Sequence, residues 1–404
     1  MNNCTPITEC LACGGTDLIP TLDLNNQPLA NNFRSTRYPK DEPVYPLAIN
    51  RCCDCDHLQL SHAVDPELIY THYLYVSGTS ETYVHYMDWY ARFVREQFNI
   101  WGRRVLDIGC NDGSQLNAFK KIGCDTYGVD PAENLYPVSS ANHKVVLGFW
   151  DQKYIYNKIN TSFDVITCQN AFAHNPDPLA FLKLAKLYLE VDGKILIQTS
   201  QADMVLNGEF DTIYHEHISY YNIESMKALA ERAGLFLQDV VKTPIHGTSY
   251  IFILGQVPAN KQRVENLLAM ESRLHRGSTY RKWAADVNKL IQDLDKQLTV
   301  YRQQGFRIVG YGAAAKGMTL INAGKFEFDA VIDDNPLKQG LYCPGTSTQV
   351  VSSDYIQRLS ADARVLFVPL AWNYYQDIKA KIRKIRTNDQ DLFLQYFPEI
   401  TIEK

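Results

Sequence analysis

Between residues 104 and 199, strand-like and helix-like stretches alternate, and this alternation constrains the fold more than any other feature. Residues 104–108 form an apolar strand, a helix begins at Ser114, and residues 126–129 form a second strand. Residues 163–168, 179–189 and 194–199 repeat the order strand, helix, strand. Strands that alternate with helices pair in parallel, because each crossover helix returns the chain to the same end of the sheet. The pattern predicts an α/β, doubly wound sheet. After Gly234, residues 235–241 and 250–254 read as strands joined around His246-Gly247, an antiparallel edge. A helix is predicted from about Ser80 to Asn99, where Tyr83, Tyr86, Trp89, Tyr90 and Phe93 fall three and four apart. From about Ala259 to Gln304 the pattern is helical again, with an apolar stripe through Trp283, Val287, Leu290, Ile291, Leu294, Leu298 and Tyr301. Strands at 307–310, 330–334 and 365–368 then begin a second, smaller α/β unit.

The first seventy residues differ from the rest. Residues 21–46 carry turn formers and few apolar runs, too little for a self-sufficient core. Two cysteine pairs flank them, Cys10-Leu-Ala-Cys13 and Cys52-Cys53-Asp-Cys55. Each pair can turn two thiolates to one side, and two such turns make a closed tetrahedral zinc site. Metal then stabilises the loop between them. The expected ligands are Cys10, Cys13, Cys52 and Cys55; Cys53 lacks the pair spacing and Cys4 lacks a partner. Zn2+ in four sulfurs is structural, because no coordination position is open to substrate.

A 404-residue chain with a formal net charge of −5 shows no general attraction for nucleic acid or anionic membrane. No apolar run is long enough to span a bilayer, and no basic-then-apolar leader opens the chain. The expectation is a cytoplasmic protein, where a CxxC pair holds metal more often than it forms a structural disulfide.

The chemistry is concentrated in two places. Asp107-Ile-Gly109-Cys110-Asn111-Asp112-Gly113 follows a strand and opens a helix. Gly109 and Gly113 allow close backbone approach to a ligand, and Asn111 tolerates positive φ. Asp130 ends the next strand, where a carboxylate can accept ribose hydroxyls. The spacing is not GxGxxG. Its DxGxxxG form resembles class I S-adenosylmethionine-dependent methyltransferases, which implies a cofactor site at Asp107, Gly109, Asn111, Asp112, Gly113 and Asp130, with Phe149 against adenine. The second place is Tyr214-His215-Glu216-His217, after the strand ending at Thr199. His174 leaves the preceding strand at the same edge. A neutral imidazole suits proton abstraction near pH 7, and a carboxylate can orient it. In an extended chain His215 and His217 would share one face and Glu216 the other.

The order of these motifs, with Tyr73-Leu-Tyr75-Val-Ser77-Gly78-Thr79-Ser80, His246-Gly247 and Gly310-Tyr-Gly312-Ala-Ala-Ala-Lys316, resembles the three-domain sugar C-methyltransferases of deoxysugar biosynthesis. The resemblance runs over essentially the whole chain. It implies a zinc-binding module (1–70), a class I methyltransferase Rossmann-like domain (71–258), and a helical linker with a C-terminal Rossmann-like domain (259–404). It implies S-adenosylmethionine as cofactor and a nucleotide-linked 4-keto-6-deoxysugar as substrate, methylated at a carbon alpha to the ketone, C3 or in some members C5. His217 would take the proton, Tyr214 and Glu216 would assist, and His174 and Tyr73 would contact the sugar or its enolate. Tyr75, Ser77, His246, Gly247, Gly312 and Lys316 would bind substrate, with Trp372 and Asn373 near the base. A monomer is expected. This chain departs from 3-C-methylating members at His215, where they are acidic, and at Thr248-Ser249-Tyr250, where they carry glycine and an acidic residue.

Alternatives stay open. Gly310-x-Gly312-x-x-Ala315, with Asp333 and Asp334 ending the next strand, also approximates a dinucleotide fingerprint. An O- or N-methyltransferase of another small metabolite, or a non-catalytic zinc-ribbon scaffold, would share several of these motifs.

Overall fold

The structure is a computed structural model that describes residues 3–38, 41–71, 73, 75–100, 102–199, 203–245, 248–258 and 261–404. Two compact units emerge. One comprises Met1–Pro20, Asn50–Asp203 and Glu216–Arg276; the other comprises Thr21–Ile49, Met204–His215 and Gly277–Lys404. The core-poor stretch from Thr21 groups with the C-terminal residues because it is stitched to them. Arg34 exchanges backbone bonds with Tyr342 at 3.0 and 2.7 Å, and the Glu42 carboxylate accepts the Gly345 amide at 3.1 Å.

The first unit is built on a seven-stranded sheet. In chain order its elements are helix α1 (Glu81–Phe98), β1 (Arg104–Ile108), α2 (Ser114–Lys121), β2 (Asp125–Asp130), β3 (Lys144–Leu147), β4 (Phe163–Gln169), α3 (Pro178–Leu187), β5 (Leu189–Thr199), α4 (Ile223–Arg232), β6 (Phe236–Thr243) and β7 (Ser249–Gly255). The strand order is β6-β7-β5-β4-β1-β2-β3. Strands β1 to β5 pair in parallel, and β7 pairs antiparallel with both β5 and β6. The adjacent apolar pairs Val105-Leu106 in β1 and Val165-Ile166 in β4 follow from burial on both faces. Helix α1 starts at Ser80, whose hydroxyl accepts the Tyr83 amide, and ends at Asn99 in the left-handed conformation. It buries Tyr83, Met87, Tyr90, Ala91 and Val94 against Val165, Leu196, Ile251 and Ile253. The Tyr90 hydroxyl meets Thr167 Oγ1 at 2.7 Å, so this large ring enters the core with its polar tip satisfied. The chain winds outward from β1 through β2 and β3, then restarts at β4 on the other side. The crevice between the ends of β1 and β4 is therefore the topological switch point.

Close to the N-terminus, Leu58–Leu60 pairs antiparallel with Ser219–Tyr220. Asn222, which caps α4, donates to the carbonyls of Cys55 and Asp56 at 3.4 and 2.9 Å. Cys10, Ala12, Cys52 and Cys55 share one core cluster with Phe172, Tyr221 and Met226.

The second unit carries the long helix α5 (Gly277–Gln303), then β8 (Arg307–Tyr311), α6 (Ala315–Gly324), β9 (Ala330–Ile332), β10 (Val350–Val351), β11 (Val365–Pro369), β12 (Leu392–Gln395) and β13 (Thr401–Glu403). Its sheet runs β10-β9-β8-β11-β12-β13, with only β13 antiparallel. Here the switch point falls between β8 and β11. The stripe expected on α5 is buried at Trp283, Val287, Leu294 and Leu298, while Leu290 and Ile291 are half-buried. Strands β3, β10, β12 and β13 are too short to leave a periodic signal. No helix among the described residues is long and apolar enough to cross a membrane.

Candidate functional site

The glycine turn after β1 is shaped by its own polar groups. Gly109, Asn111 and Gly113 all have positive φ, 78°, 52° and 82°. A Cβ on Gly109 would lie 2.6 Å from the Ala171 Cβ across the switch point, so no side chain fits there. Asp130 ties the turn down: its Oδ2 accepts the Asn111 amide at 2.8 Å and its Oδ1 the Ala132 amide at 2.9 Å. Burial raises the Asp130 carboxyl, and the two amide bonds oppose that rise. Asp107 is buried beneath the turn, where burial and then the Asp130 charge push its carboxyl up. The Gly148 amide bonds the Asp130 carbonyl at 2.9 Å, which brings Phe149 to the same strand ends. Gly109→Ala is expected to lose about 2 kcal/mol or more, from the left-handed backbone plus the contact with Ala171. A lower melting temperature and at least tenfold weaker S-adenosylmethionine binding by calorimetry would register it.

A strap crosses this turn. The Ser77 amide donates to Asn111 Oδ1 at 2.9 Å, Asn111 Nδ2 donates to the Tyr75 carbonyl at 3.0 Å, and the Gly78 amide donates to Asp112 Oδ2 at 2.9 Å. Tyr75 and Ser77 are thereby fixed beside the glycine turn. Earlier in the strap, Tyr73 exchanges two bonds with the Asn134 side-chain amide, at 3.1 and 2.9 Å.

The same strap reaches the acid/base cluster. Tyr73 OH donates to Glu216 Oε2 at 2.8 Å. The His174 ring stacks on Tyr70, 5.3 Å away and nearly parallel, and on His217, 5.1 Å away. The Tyr70 hydroxyl donates to the Glu216 carbonyl at 3.2 Å. Burial, and after it the nearby His217, pushes the His174 imidazole well below its ordinary range, so it is neutral at pH 7. Its Nε2 has no hydrogen-bond partner among the described residues. The sequence therefore brings Tyr73, His174, Glu216 and His217 together.

The extended chain expected for 214–217 is not found. Residues 211–217 run through bends and turns, because no strand is available to pair with them until Ser219–Tyr220 meets Leu58–Leu60. His215 and His217 accordingly keep different company. His215 is buried, its Nε2 lies 3.2 Å from the Tyr45 carbonyl, and burial lowers it to about 4. It is a neutral packing group. Tyr214 is half-buried in the segment Met204–His215.

The four cysteines of the two pairs converge. Cys10 Sγ lies 3.6 Å from Cys55 Sγ and Cys13 Sγ 3.5 Å from Cys52 Sγ, and all four sulfurs fall within 4.8 Å of one another. Tetrahedral zinc with Zn–S bonds of about 2.3 Å requires sulfurs about 3.8 Å apart. Amides of Cys13, Gly15 and Asp54 each point at a ligand sulfur at 3.4 Å, which favours thiolate. The residues fit Zn2+. Cys53 stands outside the group, its sulfur 3.6 Å from the Arg51 guanidinium. No second group of three or more metal-ligating side chains converges among the described residues, the His-Glu-His segment included.

In the second unit, Gly312 (φ 96°) follows β8 directly and Lys316 lies in the first turn of α6. Asp333 clamps this turn as Asp130 clamps the other: Oδ2 accepts the Ala313 amide at 2.7 Å and Oδ1 the Asn335 amide at 2.8 Å. Trp372 follows β11, packs at a tilt against Phe397 with ring centroids 4.6 Å apart, and lies under the Lys316 ammonium at 5.2 Å. Asn373 is exposed beside it. His246 and Gly247 lie outside the described residues. Sequence reasoning missed Tyr70, whose signal was only one aromatic among several, and Asp211, a buried carboxylate with no motif around it.

Comparison with known proteins agrees with this architecture. Three family models match in succession: "Putative zinc binding domain" over residues 10–70, "Methyltransferase domain" over 81–240 and "C-methyltransferase C-terminal domain" over 244–398. C-methyltransferase NovU of Streptomyces niveus is 28% identical over 389 residues, 92% of this chain and 91% of its own. Ubiquinone biosynthesis O-methyltransferase of Coxiella burnetii (strain Dugway 5J108-111) is 28% identical over 181 residues, 41% of this chain and 77% of its own. A solved S-adenosylmethionine-dependent methyltransferase from Clostridium acetobutylicum ATCC 824 covers 43% of this chain and 91% of its own, at 14% identity and a TM-score of 0.35. With a sulfur-lined metal site, a doubly wound sheet with its glycine turn, and all three models in order, the chain matches the three-domain S-adenosylmethionine-dependent C-methyltransferases along nearly its whole length.

Proposed function

We propose that the chain methylates a carbon alpha to the ketone, C3, of a nucleotide-linked 4-keto-6-deoxysugar, with His217 as the base. One observation carries the reading. A single strap places Tyr73 on the Glu216 carboxylate and, a few residues on, ties Tyr75, Ser77 and Gly78 to the glycine turn. An acid/base cluster and a methyl-donor cradle that share one strap suit a reaction in which proton removal and methyl transfer occur on one substrate.

S-adenosylmethionine, when bound, supplies an electrophilic methyl group on a sulfonium. Oxygen and nitrogen nucleophiles need little more, but a C–H bond beside a ketone must first lose its proton. His217 takes that proton from C3, and the electron pair moves onto the carbonyl oxygen as an enolate. The neutral His174, with an unmet ring nitrogen, can offer a hydrogen bond to this oxygen when its proton sits on Nε2. Tyr73 and Tyr70 hold Glu216 by its side chain and its carbonyl, and so fix the residue next to His217. With the methyl donor bound, the electron pair at C3 would form the new carbon–carbon bond as the methyl–sulfur pair returned to sulfur, releasing the neutral thioether and restoring the ketone.

The test is incubation of the full chain with methyl-labelled S-adenosylmethionine and a panel of nucleotide 4-keto-6-deoxyhexoses. The expected product carries the label on C3, located by NMR. Label on oxygen, or turnover only of non-sugar acceptors, would replace this reading with O-methylation.

A further inference from the structure

Asp211 stands out in the second unit as a charged group that no motif explains. It is 2% exposed. Its Oδ2 accepts the Trp372 indole N–H at 2.8 Å and the Tyr396 hydroxyl at 2.9 Å. Its Oδ1 has no hydrogen-bond partner among the described residues, and the nearest opposite charge is Lys316 Nζ at 4.0 Å. A carboxylate this buried is costly unless a cation and donors compensate it.

What the carboxylate touches gives it meaning. Lys316 and Trp372 flank the switch point of the second sheet, where ligands of doubly wound folds bind. Gly312 sits there against Ala371, leaving 3.3 Å between the Ala371 Cβ and any Cβ that Gly312 might carry. Helix α6 begins there without a side-chain cap, so its first amides and Lys316 together favour a phosphate. The Thr319 hydroxyl on the same helix donates to the Ile213 carbonyl at 3.0 Å. The segment that leads to Tyr214 is thus tied to α6 at Ile213 and to the turn after β11 through Asp211.

We infer that Asp211 is a positioning residue, which fixes the Lys316 ammonium and the Trp372 indole so that they receive the phosphorylated end of the substrate. This rests on the nucleotide-linked substrate of the proposed function. Asp211 does not itself touch the ligand; it acts through the lysine and the indole. Asparagine keeps an oxygen that can accept the indole N–H, so Asp211→Asn removes chiefly the charge that holds the lysine, and with Lys316 already removed it should matter little.

The experiment is a double-mutant cycle with Asp211→Asn and Lys316→Met in the full chain, read as KM for the nucleotide ketosugar, KM for S-adenosylmethionine and kcat. Each single variant is expected to raise the sugar KM about tenfold, with the other two constants within twofold. The double variant is expected to stay within twofold of Lys316→Met. An additive rise of about a hundredfold, a fall in kcat with KM unchanged, or a lower KM in Asp211→Asn overturns the inference; the last would mean that the carboxylate withholds Lys316 from the substrate. If Asp211→Asn does not fold, Trp372→Phe, which deletes one donor to the carboxylate, is expected to raise the sugar KM about threefold, and no change overturns it. If the unmutated chain turns over no nucleotide ketosugar, the substrate reading falls separately. Asp211 is then judged by calorimetry with inorganic pyrophosphate. Asp211→Asn is expected to weaken its binding about fivefold, as Lys316→Met does, and unchanged or tighter binding overturns the inference.

Discussion

His217→Gln is expected to lower kcat about a thousandfold, within the range that a positioned general base supplies. Glutamine keeps a planar polar group of similar reach but cannot accept the proton. The glycine turn proposed to hold the cofactor is built from other residues, so the dissociation constant for S-adenosylmethionine should stay within twofold. The decisive measurement is made in D2O with S-adenosylhomocysteine in place of the methyl donor. Exchange at C3 of the ketosugar should proceed in the unmutated chain and stop in the variant. If the variant exchanges at the unmutated rate, the base lies elsewhere. The neutral His174 stacked on His217 makes a second point: burial keeps that ring uncharged, so it does not repel a proton arriving next to it.

Removing the metal is expected to be nearly as damaging, although no bond is made or broken at zinc. Cys52 and Cys55 run directly into Leu58–Leu60, which pairs with Ser219–Tyr220, and Leu60 donates to the Ile218 carbonyl at 2.8 Å. Ile218 is the neighbour of His217. On the other side, the Ala12 carbonyl accepts the Arg232 guanidinium of α4 at 2.6 Å. Without zinc, the buried Cys10, Cys52 and Cys55 and the half-buried Cys13 lose their common partner, and the two turns that carry them lose the bond that joins them. Cys10→Ser, or a strong chelator, should release one zinc per chain by elemental analysis and reduce turnover at least a hundredfold. Added zinc should restore the chelated enzyme but not the variant. Full activity in a zinc-free preparation would separate the metal from the catalytic cluster.

Local patterns were legible and distant partnerships were not. The central strands announce themselves because burial on both faces places apolar residues side by side, as in Val105-Leu106 and Val165-Ile166. The cysteine pairs and the Asp107–Gly113 turn are likewise complete within a few residues, so spacing alone suggests their geometry. The four short strands are different, because pairing with neighbours, not their own composition, makes them strands. Asp211 shows the same limit at the site. Its partners Trp372 and Tyr396 lie 161 and 185 residues away, and nothing beside it in the chain points to either. The segment 214–217 misled for a related reason. Alternating faces require a ladder, and the ladder begins only at Ser219.

Asp130 and Asp333 repeat one device in two sheets, each a carboxylate held from two sides by main-chain amides. Such a group is immobilised during folding, long before any small molecule arrives. A docking hydroxyl would meet an acceptor whose remaining lone pairs already have their final direction, so the newcomer alone surrenders freedom on binding. Shortening or loosening either anchor should therefore cost affinity even where every atom that meets the ligand is kept.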